Sequence, residues 1–331
     1  MRHRLLSLAL LCLAACYASA QTRIIDSLKR RVYAATNDKA KLTAILALCE
    51  EHRSIDRDTL DFYSLQAREL AAKTGDKKSR DLAELAVANT YFRWGWIDTA
   101  LTVLDPVLIR NPVTEAGSRE LHFKMARQKA LYLGGKSRFS EALAVLYQLV
   151  ADAEKYRDTL TIGANMNTIG SISLIRSAPR VALEWFSKAL DYSTNDERYT
   201  PVIAGIYANM GDAYSQLNKH DSAEYYSEKG VSLFRQLQNL SSLAITLQKQ
   251  SAIYIKAKEL DKAEQTLKDM IEVRKRTNDE GVWVDDNISL IDFYLETNQV
   301  DKAIAFCKEA LQRGNAYDSL GTGKRFTNNI N

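Results

Sequence analysis

Residues 207–230 decide the fold of this chain, and they read YANMGDAYSQLNKHDSAEYYSEKG. Gly211 and Tyr214 come first, and Ala223 and Gly230 follow at intervals that place small residues on two successive helices. Glycine inside a helix costs about 1 kcal/mol relative to alanine. Its presence here therefore predicts two helices whose backbones pack closely against each other.

Ala223 belongs to a ladder that runs through most of the chain. The ladder consists of Leu60, Ala100, Ala142, Ala182, Ala223, Ala263 and Ala303, separated by 40, 42, 40, 41, 40 and 40 residues. A repeat of this length is typical of a stack of helical hairpins in which each unit buries the apolar face of its neighbour. The sequence predicts an all-α, right-handed solenoid of about seven hairpins over residues 39–315.

Two further positions recur around each ladder residue. The position twelve residues before it holds a small side chain in five repeats, where close packing of two helices is expected. These residues are Ala88, Ala130, Gly170, Gly211 and Ser251. The position two residues before it holds a residue type that favours helix N-caps, which is predicted to cap the second helix of its hairpin. These residues are Asp58, Asp98, Ser140, Asp221, Asp261 and Asp301. Glu224 and Glu264 follow at the spacing of reciprocal capping boxes.

The first twenty residues have the layout of a secretory signal peptide. Arg2 and Arg4 precede an apolar run over residues 5–15, and small residues end the segment at Ala20. Residues 13–16 read Leu-Ala-Ala-Cys, so lipid attachment at Cys16 is the alternative to cleavage after Ala20. Both interpretations predict an exported protein of the periplasm or cell envelope. A lead-in helix is expected over residues 21–38, and a tail over residues 316–331.

Charge and composition exclude several classes of function. The chain carries a formal net charge of +4, and loss of Arg2 and Arg4 with the signal peptide reduces it to +2. Such a balance gives no reason to expect nucleic-acid binding. The histidines lie in different repeats without metal-ligand spacing, and no catalytic arrangement is visible. We therefore expect no enzyme activity, no metal and no cofactor. Cys49 and Cys307 are expected to be free thiols, because they lie in the first and last repeats.

The stretch over residues 207–230 resembles a tetratricopeptide repeat. The segment over residues 166–189 is similar, with Gly170, Ala182 and Ala189 at the matching positions. The resemblance covers residues 40–315 and implies a module that binds proteins or peptides. Residues 26–30, followed by residues 58–60 and 67–71, are also similar to the exported repeat regions that precede bacterial sensor histidine kinases and related regulators.

This second resemblance implies that the chain is the extracytoplasmic input part of a signalling protein. The chain stops where an eighth hairpin is due, so we expect it to be the front part of a longer protein or a natural truncation of one. A periplasmic or lipid-anchored scaffold for envelope complexes is the alternative. Contact with the membrane is expected only through an N-terminal lipid or through a region beyond the C-terminus.

In tetratricopeptide proteins the first helices line a concave groove where peptides bind. Mapping that groove onto this chain gives twelve partner-binding candidates: Asn89, Phe92, Arg93, Arg127, Asn167, Ser171, Asp212, Gln216, Gln248, Lys256, Asp292 and Glu296. For each of them, a solvated helix face is the alternative interpretation. The set is of mixed charge, and it lacks the repeated lysines and asparagines with which some members of the family hold a terminal carboxylate.

Overall fold

The computed structural model describes the backbone of residues 20–51, 57–192, 197–276 and 280–318. In these ranges the chain forms fifteen α-helices and one short 3-10 helix, with no strand. The α-helices are α1 (Ala20–Ala34), α2 (Asp38–Glu50), α3 (Arg57–Thr74), α4 (Lys77–Arg93), α5 (Ile97–Ile109), α6 (Arg119–Gly135), α7 (Phe139–Tyr156), α8 (Thr159–Ile175), α9 (Pro179–Asp191), α10 (Thr200–Gln216), α11 (His220–Gln236), α12 (Leu240–Lys256), α13 (Leu260–Lys275), α14 (Glu280–Glu296) and α15 (Val300–Asp318).

These helices form seven consecutive hairpins after a lead-in helix. α1 packs on α2, and the pairs α2/α3, α4/α5, α6/α7, α8/α9, α10/α11, α12/α13 and α14/α15 make hairpins 1 to 7. Each helix also packs on the one that follows it, so the hairpins stack in a row. The predicted all-α solenoid of about seven hairpins is confirmed.

The ladder residues lie in the core of every hairpin. Leu60 and the six alanines are at most 2% exposed. A Cβ atom added to Gly211 would lie 3.0 Å from the backbone nitrogen of Ser227, and one added to Gly230 would lie 2.9 Å from that of Ala208. Both glycines therefore let α10 and α11 pack backbone against backbone, which is the role predicted for the small residues.

The prediction of aspartate caps on the second helices is wrong. α5 begins at Ile97 and α11 at His220, so Asp98 and Asp221 are the second residues of their helices. There they lie in the first turn, where a carboxylate favours the positive end of the helix dipole. Side-chain caps occur on first helices instead, where Asn37, Asp76, Asp158 and Asn239 accept backbone N–H groups at 2.8–3.1 Å.

The hairpin turns explain why the second helices need no side-chain cap. Gly95, Ser137, Ser177, Asn218, Lys258 and Asn298 each occupy the left-handed region, with φ between 57° and 80°. In the turn at Asn218, the N–H of Lys219 donates to the carbonyl oxygen of Tyr214 at 2.9 Å. This bond ends the first helix and sets the direction of the second through the backbone alone. Because only Gly95 is a glycine, the sequence does not reveal this turn.

Residues 1–19 and 319–331 lie outside the described residues, and with them the predicted signal peptide, Cys16 and most of the predicted tail. The lead-in helix α1 ends at Ala34, before the expected limit of 38, and α15 continues to Asp318. Cys49 is buried and Cys307 is half-buried, and both are free thiols, as expected. In the described part of the chain, no helix combines the length and the apolar character that crossing a membrane requires.

Candidate functional site

The first helices of the hairpins form one side of the stack, called here the concave face. α8, α10 and α12 contact each other from hairpin to hairpin, as α2 and α4 do, while the second helices of neighbouring hairpins stay farther apart. A row of hairpins that is closer on one side than on the other must curve toward the closer side. The first helices therefore line the inside of the curve.

A chain of hydrogen bonds crosses three hairpins on this face. The Nδ2 atom of Asn209 on α10 donates to Asn167 Oδ1 and to Ser171 Oγ on α8, both at 3.0 Å. The Nζ atom of Lys249 on α12 donates to Asn209 Oδ1 at 2.6 Å. These four residues are called the polar chain below. Their heads are held in place by neighbouring hairpins, so they form a surface whose donors and acceptors are ordered before any ligand arrives.

The amine of Lys249 lies in a partly desolvated place. Burial lowers its pKa, and the carboxylate of Asp212 on α10 acts in the opposite direction. Asp212 itself is half-buried and accepts from Gln216 Nε2 at 3.4 Å. The centre of the concave face thus offers amide, hydroxyl, amine and carboxylate groups close together. This mixture suits hydrogen bonding to peptide groups, and it contains no activated nucleophile paired with a base.

Two members of the polar chain, Asn209 and Lys249, are absent from the predicted site. The prediction used fixed distances from Gly211 and Ser251, which select Gln248 in place of Lys249. Asn167 lies three residues before Gly170, whereas Asn209 and Lys249 lie two residues before Gly211 and Ser251, so the bonding position shifts by one residue between α8 and α10. The combination of Asn209 with a lysine 40 residues later was the signal that could have found them.

Asn89 and Phe92 lie where hairpins 2 and 3 pack against each other. Asn89 is 5% exposed, and its Oδ1 accepts from the hydroxyl of Tyr132 at 2.7 Å. Phe92 stacks on the ring of Tyr132 with 4.8 Å between ring centroids. Burial raises the pKa of the Tyr132 hydroxyl, against the effect of a hydrogen bond with Gln128. Both predicted residues therefore pack against α6, with Asn89 buried and Phe92 half-buried.

The other predicted residues reach solvent to different degrees. Lys256 donates to the backbone oxygen of Ser215 at 2.6 Å, so it links hairpins 5 and 6. Gln248 donates to Ser289 Oγ at 3.4 Å and links hairpins 6 and 7. Exposed or half-exposed side chains also include those of Arg93, Arg127, Gln216, Asp292 and Glu296. The predicted set is thus spread along hairpins 2 to 7, and only Asn167 and Ser171 belong to the polar chain.

Within the described ranges, no three His, Cys, Asp or Glu side chains lie close enough together to hold a metal ion. Burial, with a further contribution from Glu50, raises the pKa of the Cys49 thiol to about 12, so this thiol stays protonated at neutral pH. A protonated, buried thiol is a poor nucleophile and a poor metal ligand.

Comparison with known proteins identifies one repeat directly. The tetratricopeptide repeat family model matches residues 204–237, which are α10, α11 and their immediate flanks. Residues 204–237 are a tetratricopeptide repeat. This segment holds Gly211, Ala223 and Gly230 as well as Asn209 of the polar chain. No curated protein matches the chain by sequence.

Solved structures share the tetratricopeptide solenoid fold. NprR in complex with its cognate peptide NprX superimposes with a TM-score of 0.58 at 15% identity, covering 98% of this chain and 96% of NprR. A Rap protein complexed with Competence and Sporulation Factor gives 0.58 at 12% identity, covering 85% and 78% of the two chains. BtubC (BKLC) from P. vanneervenii gives 0.52 at 16% identity, covering 67% and 91%. At these identities the likeness concerns the fold.

Proposed function

We propose that this protein is a binding module that takes a protein or peptide on its concave face and has no catalytic role of its own. The polar chain from Asn167 to Lys249 is the observation that carries the proposal. It orders amide and amine groups across three hairpins, over a length that suits an extended peptide. A surface of this kind binds without a large loss of side-chain entropy, because its side chains are already fixed.

The neighbours in fold support this choice of ligand. The NprR structure contains its cognate peptide NprX and the Rap structure contains Competence and Sporulation Factor, and both share the solenoid fold of this chain. The alternative of a solvated helix face predicts side chains that extend individually into water. The Asn209 side chain does not extend into water in this way, because its amide nitrogen and its amide oxygen both form hydrogen bonds to neighbouring hairpins.

We further propose that the module is exported and forms the sensing part of a signalling protein. The basic start, apolar run and small-residue end of residues 1–20 support export. The resemblance of residues 26–30 and 67–71 to the regions before sensor kinases supports the signalling role. Cys16 and the residues just before it favour a second candidate, a lipid-anchored scaffold of the cell envelope. The intact mass of the exported protein separates the two, because an acylated Cys16 supports the scaffold.

Site-specific photo-crosslinking tests the binding proposal. A benzoylphenylalanine residue replaces Gln248 on α12, which is exposed on the concave face, and in a matched variant it replaces Gln265 on α13, exposed on a second helix. Both variants are expressed as the full chain in the producing cells. We expect a defined crosslinked protein or peptide from position 248 and none from position 265.

A third variant ties the crosslink to the polar chain. Lys249→Met keeps the length of the side chain but removes the amine that binds Asn209, so the crosslink at position 248 is expected to weaken. Equal crosslinking from positions 248 and 265, or a crosslink that Lys249→Met leaves unchanged, contradicts binding at this face.

A further inference from the structure

A glutamate joins hairpin 6 to hairpin 7 at the edge of the stack where first helices end and second helices begin, called here the turn edge. Glu264 on α13 accepts from the Tyr294 hydroxyl at 3.0 Å and from Lys302 Nζ at 2.9 Å. Its side chain is 16% exposed, so these partners largely enclose it. Because Tyr294 and Lys302 lie on the two helices of hairpin 7, one carboxylate holds both helices of the next hairpin.

The junction between hairpins 5 and 6 repeats this arrangement. Glu224 on α11 lies 40 residues before Glu264 and accepts from Lys262 Nζ at 2.7 Å. Burial and the charges of Glu224 and Glu228 raise the pKa of the Tyr254 hydroxyl to about 12, so the Glu224 carboxylate lies near that hydroxyl. Each glutamate directly follows a ladder alanine, and its tyrosine and lysine lie nine residues and one residue before the next ladder alanine.

The junction between hairpins 4 and 5 keeps the tyrosine and replaces the glutamate. Leu183 stands at the carboxylate position, Tyr214 at the tyrosine position and Ser222 at the lysine position. The Tyr214 hydroxyl, unlike that of Tyr294, forms no hydrogen bond with any residue that the structure describes. The chain itself therefore does not supply the carboxylate that the same position binds in the next two junctions.

An open pocket of about 370 Å³ lies at this junction. Its volume is within the range of about 300–1,000 Å³ that is typical of ligand pockets. It is lined by Arg180, Leu183, Tyr214, Leu217 and Lys219. The two leucines provide apolar walls, and the ring of Tyr214 is held by stacking on Tyr226, with 5.3 Å between ring centroids.

Two cationic side chains line the pocket. Arg180 lies in the first turn of α9 and Lys219 directly precedes α11, so the positive ends of two helix dipoles add to their charge. Both side chains are exposed, and within the described ranges neither forms an ion pair. The Lys219 Nζ atom lies 6.0 Å from the centre of the Tyr214 ring. Since no acidic residue is among the five described residues that line the pocket, its charge favours an anion.

We propose that this pocket binds the carboxylate of a glutamate side chain of a partner protein, in the role that Glu224 and Glu264 fill at the next two junctions. The carboxylate accepts from the Tyr214 hydroxyl and pairs with the two cations, while its methylene groups lie against the two leucines. Charge alone would suit any anion, and the glutamates of the equivalent junctions select a carboxylate. The pocket is separate from the polar chain, so this inference goes beyond the proposed function and does not depend on it.

NMR of labelled tyrosines tests the occupant. The full chain carries carbon-13 at the Cζ atoms of its tyrosines, and loss of a signal in Tyr214→Phe assigns that residue. N-acetyl-glutamate N-methylamide is the probe, and N-acetyl-glutamine N-methylamide, of the same shape without the charge, is its matched control. At constant ionic strength we expect a saturable shift of the Tyr214 signal with the glutamate probe and none with the glutamine probe.

Two further compounds define the source of the anion. Sodium sulfate is expected to bind more weakly than the glutamate probe, because it lacks the methylene groups that contact the leucines. Free L-glutamate is expected to bind no more tightly than the blocked probe, because its ammonium group is repelled by the two cations. Tighter binding of free L-glutamate would assign the pocket to a metabolite and would contradict a partner protein.

Variants of the cations test the ion pairs. Lys219→Met and Arg180→Met are each expected to weaken binding of the glutamate probe about 1.5- to 5-fold, the factor that an exposed ion pair is worth. Lys188→Met removes an exposed charge of α9 that does not line the pocket. This control variant is expected to leave the affinity unchanged.

Leu183→Glu supplies the carboxylate from the chain itself. In this variant the Tyr214 signal of the free protein is expected to move in the direction that the glutamate probe causes, and the probe is expected to lose its effect. Leu143→Glu is the matched control, because Leu143 has the same position in hairpin 3 and Ser173 stands there in place of the tyrosine. It is expected to leave the Tyr214 signal and probe binding unchanged.

Three results overturn the inference: equal shifts from the glutamate and glutamine probes, equal probe affinity in Lys219→Met and Lys188→Met, or sulfate binding as tight as that of the glutamate probe. Each of them leaves the proposed function standing if crosslinking at position 248 persists. Conversely, a shift of Tyr214 without any crosslink at position 248 supports the pocket and contradicts binding on the concave face.

Discussion

The contact between Gly230 and Ala208 allows a stability prediction with a definite sign. A Cβ atom on residue 230 would lie 2.9 Å from the backbone nitrogen of Ala208 and 3.1 Å from its Cα. Backbone atoms cannot rotate away, so α10 and α11 must move apart. Overpacking of this kind costs about 1–3 kcal/mol, while the better helix propensity of alanine returns about 1 kcal/mol. For Gly230→Ala we expect a net loss of about 1–2 kcal/mol, because rigid backbone places the cost in the upper part of that range.

Native-state hydrogen exchange is the suitable assay, since a repeat array does not unfold as a single unit. The opening free energy of amides in α10 and α11 is expected to fall in Gly230→Ala, while that of amides in α4 and α5 stays unchanged. Gly134→Ala is the matched control, because a Cβ atom there has no neighbour within 4 Å. That variant is expected to gain up to about 1 kcal/mol. Amides of α10 and α11 as well protected in Gly230→Ala as in the wild type would refute the backbone contact.

Two further predictions concern a turn and a carboxylate. Lys258 has a φ of 62° in the turn after α12, so Lys258→Gly is expected to raise the urea midpoint of unfolding, with a gain of about 0.5–1 kcal/mol. Asn298→Gly is expected to give a smaller gain, because asparagine tolerates positive φ better than lysine does. A lower midpoint for Lys258→Gly would contradict the left-handed conformation of this turn. Burial raises the pKa of Glu264, but hydrogen bonds from Lys268, Lys302 and Tyr294 outweigh it and lower the pKa to about 2. The stability that Glu264 contributes is therefore fully present above its ordinary pKa of 4.5 and is lost as pH falls toward 2. The unfolding free energies of the wild type and of Glu264→Gln should converge over that pH interval. A difference that stays constant with pH would argue against the ion pairs of Glu264.

The fold was predictable because its signal is repeated and depends on volume. Close packing at Ala182 or Ala223 tolerates only small side chains, and the sequence records that limit in every unit. The helix ends were not predictable in the same way, because backbone atoms close the turns. Ser177 and Lys258 adopt a conformation for which neither residue type gives a sequence signal. The expected capping box at Glu264 is wrong for a related reason, since its carboxylate binds lysines on α13 and α15.

The sequence places the candidate site on the first helices and names two of the four residues of the polar chain, Asn167 and Ser171. Placing it on the first helices follows from the architecture and agrees with the position of the polar chain. Which residues meet there depends on a one-residue shift between repeats, and this shift separates Lys249 from Gln248. The path of residues 110–118 was not predictable, because Asp81 sets it through hydrogen bonds between residues distant in sequence.

The polar chain also makes the solenoid stiff against bending at its centre. Asn209 holds α8 with one end of its amide and α12 with the other, so hairpins 4, 5 and 6 cannot change their relative tilt without stretching bonds on both sides. Between hairpins 2 and 3, a buried hydrogen bond, from the Tyr132 hydroxyl on α6 to Asn89 Oδ1 on α4, joins the first helices. Bending of the array is therefore resisted on both sides of α10, and hairpins 4, 5 and 6 form a rigid central block.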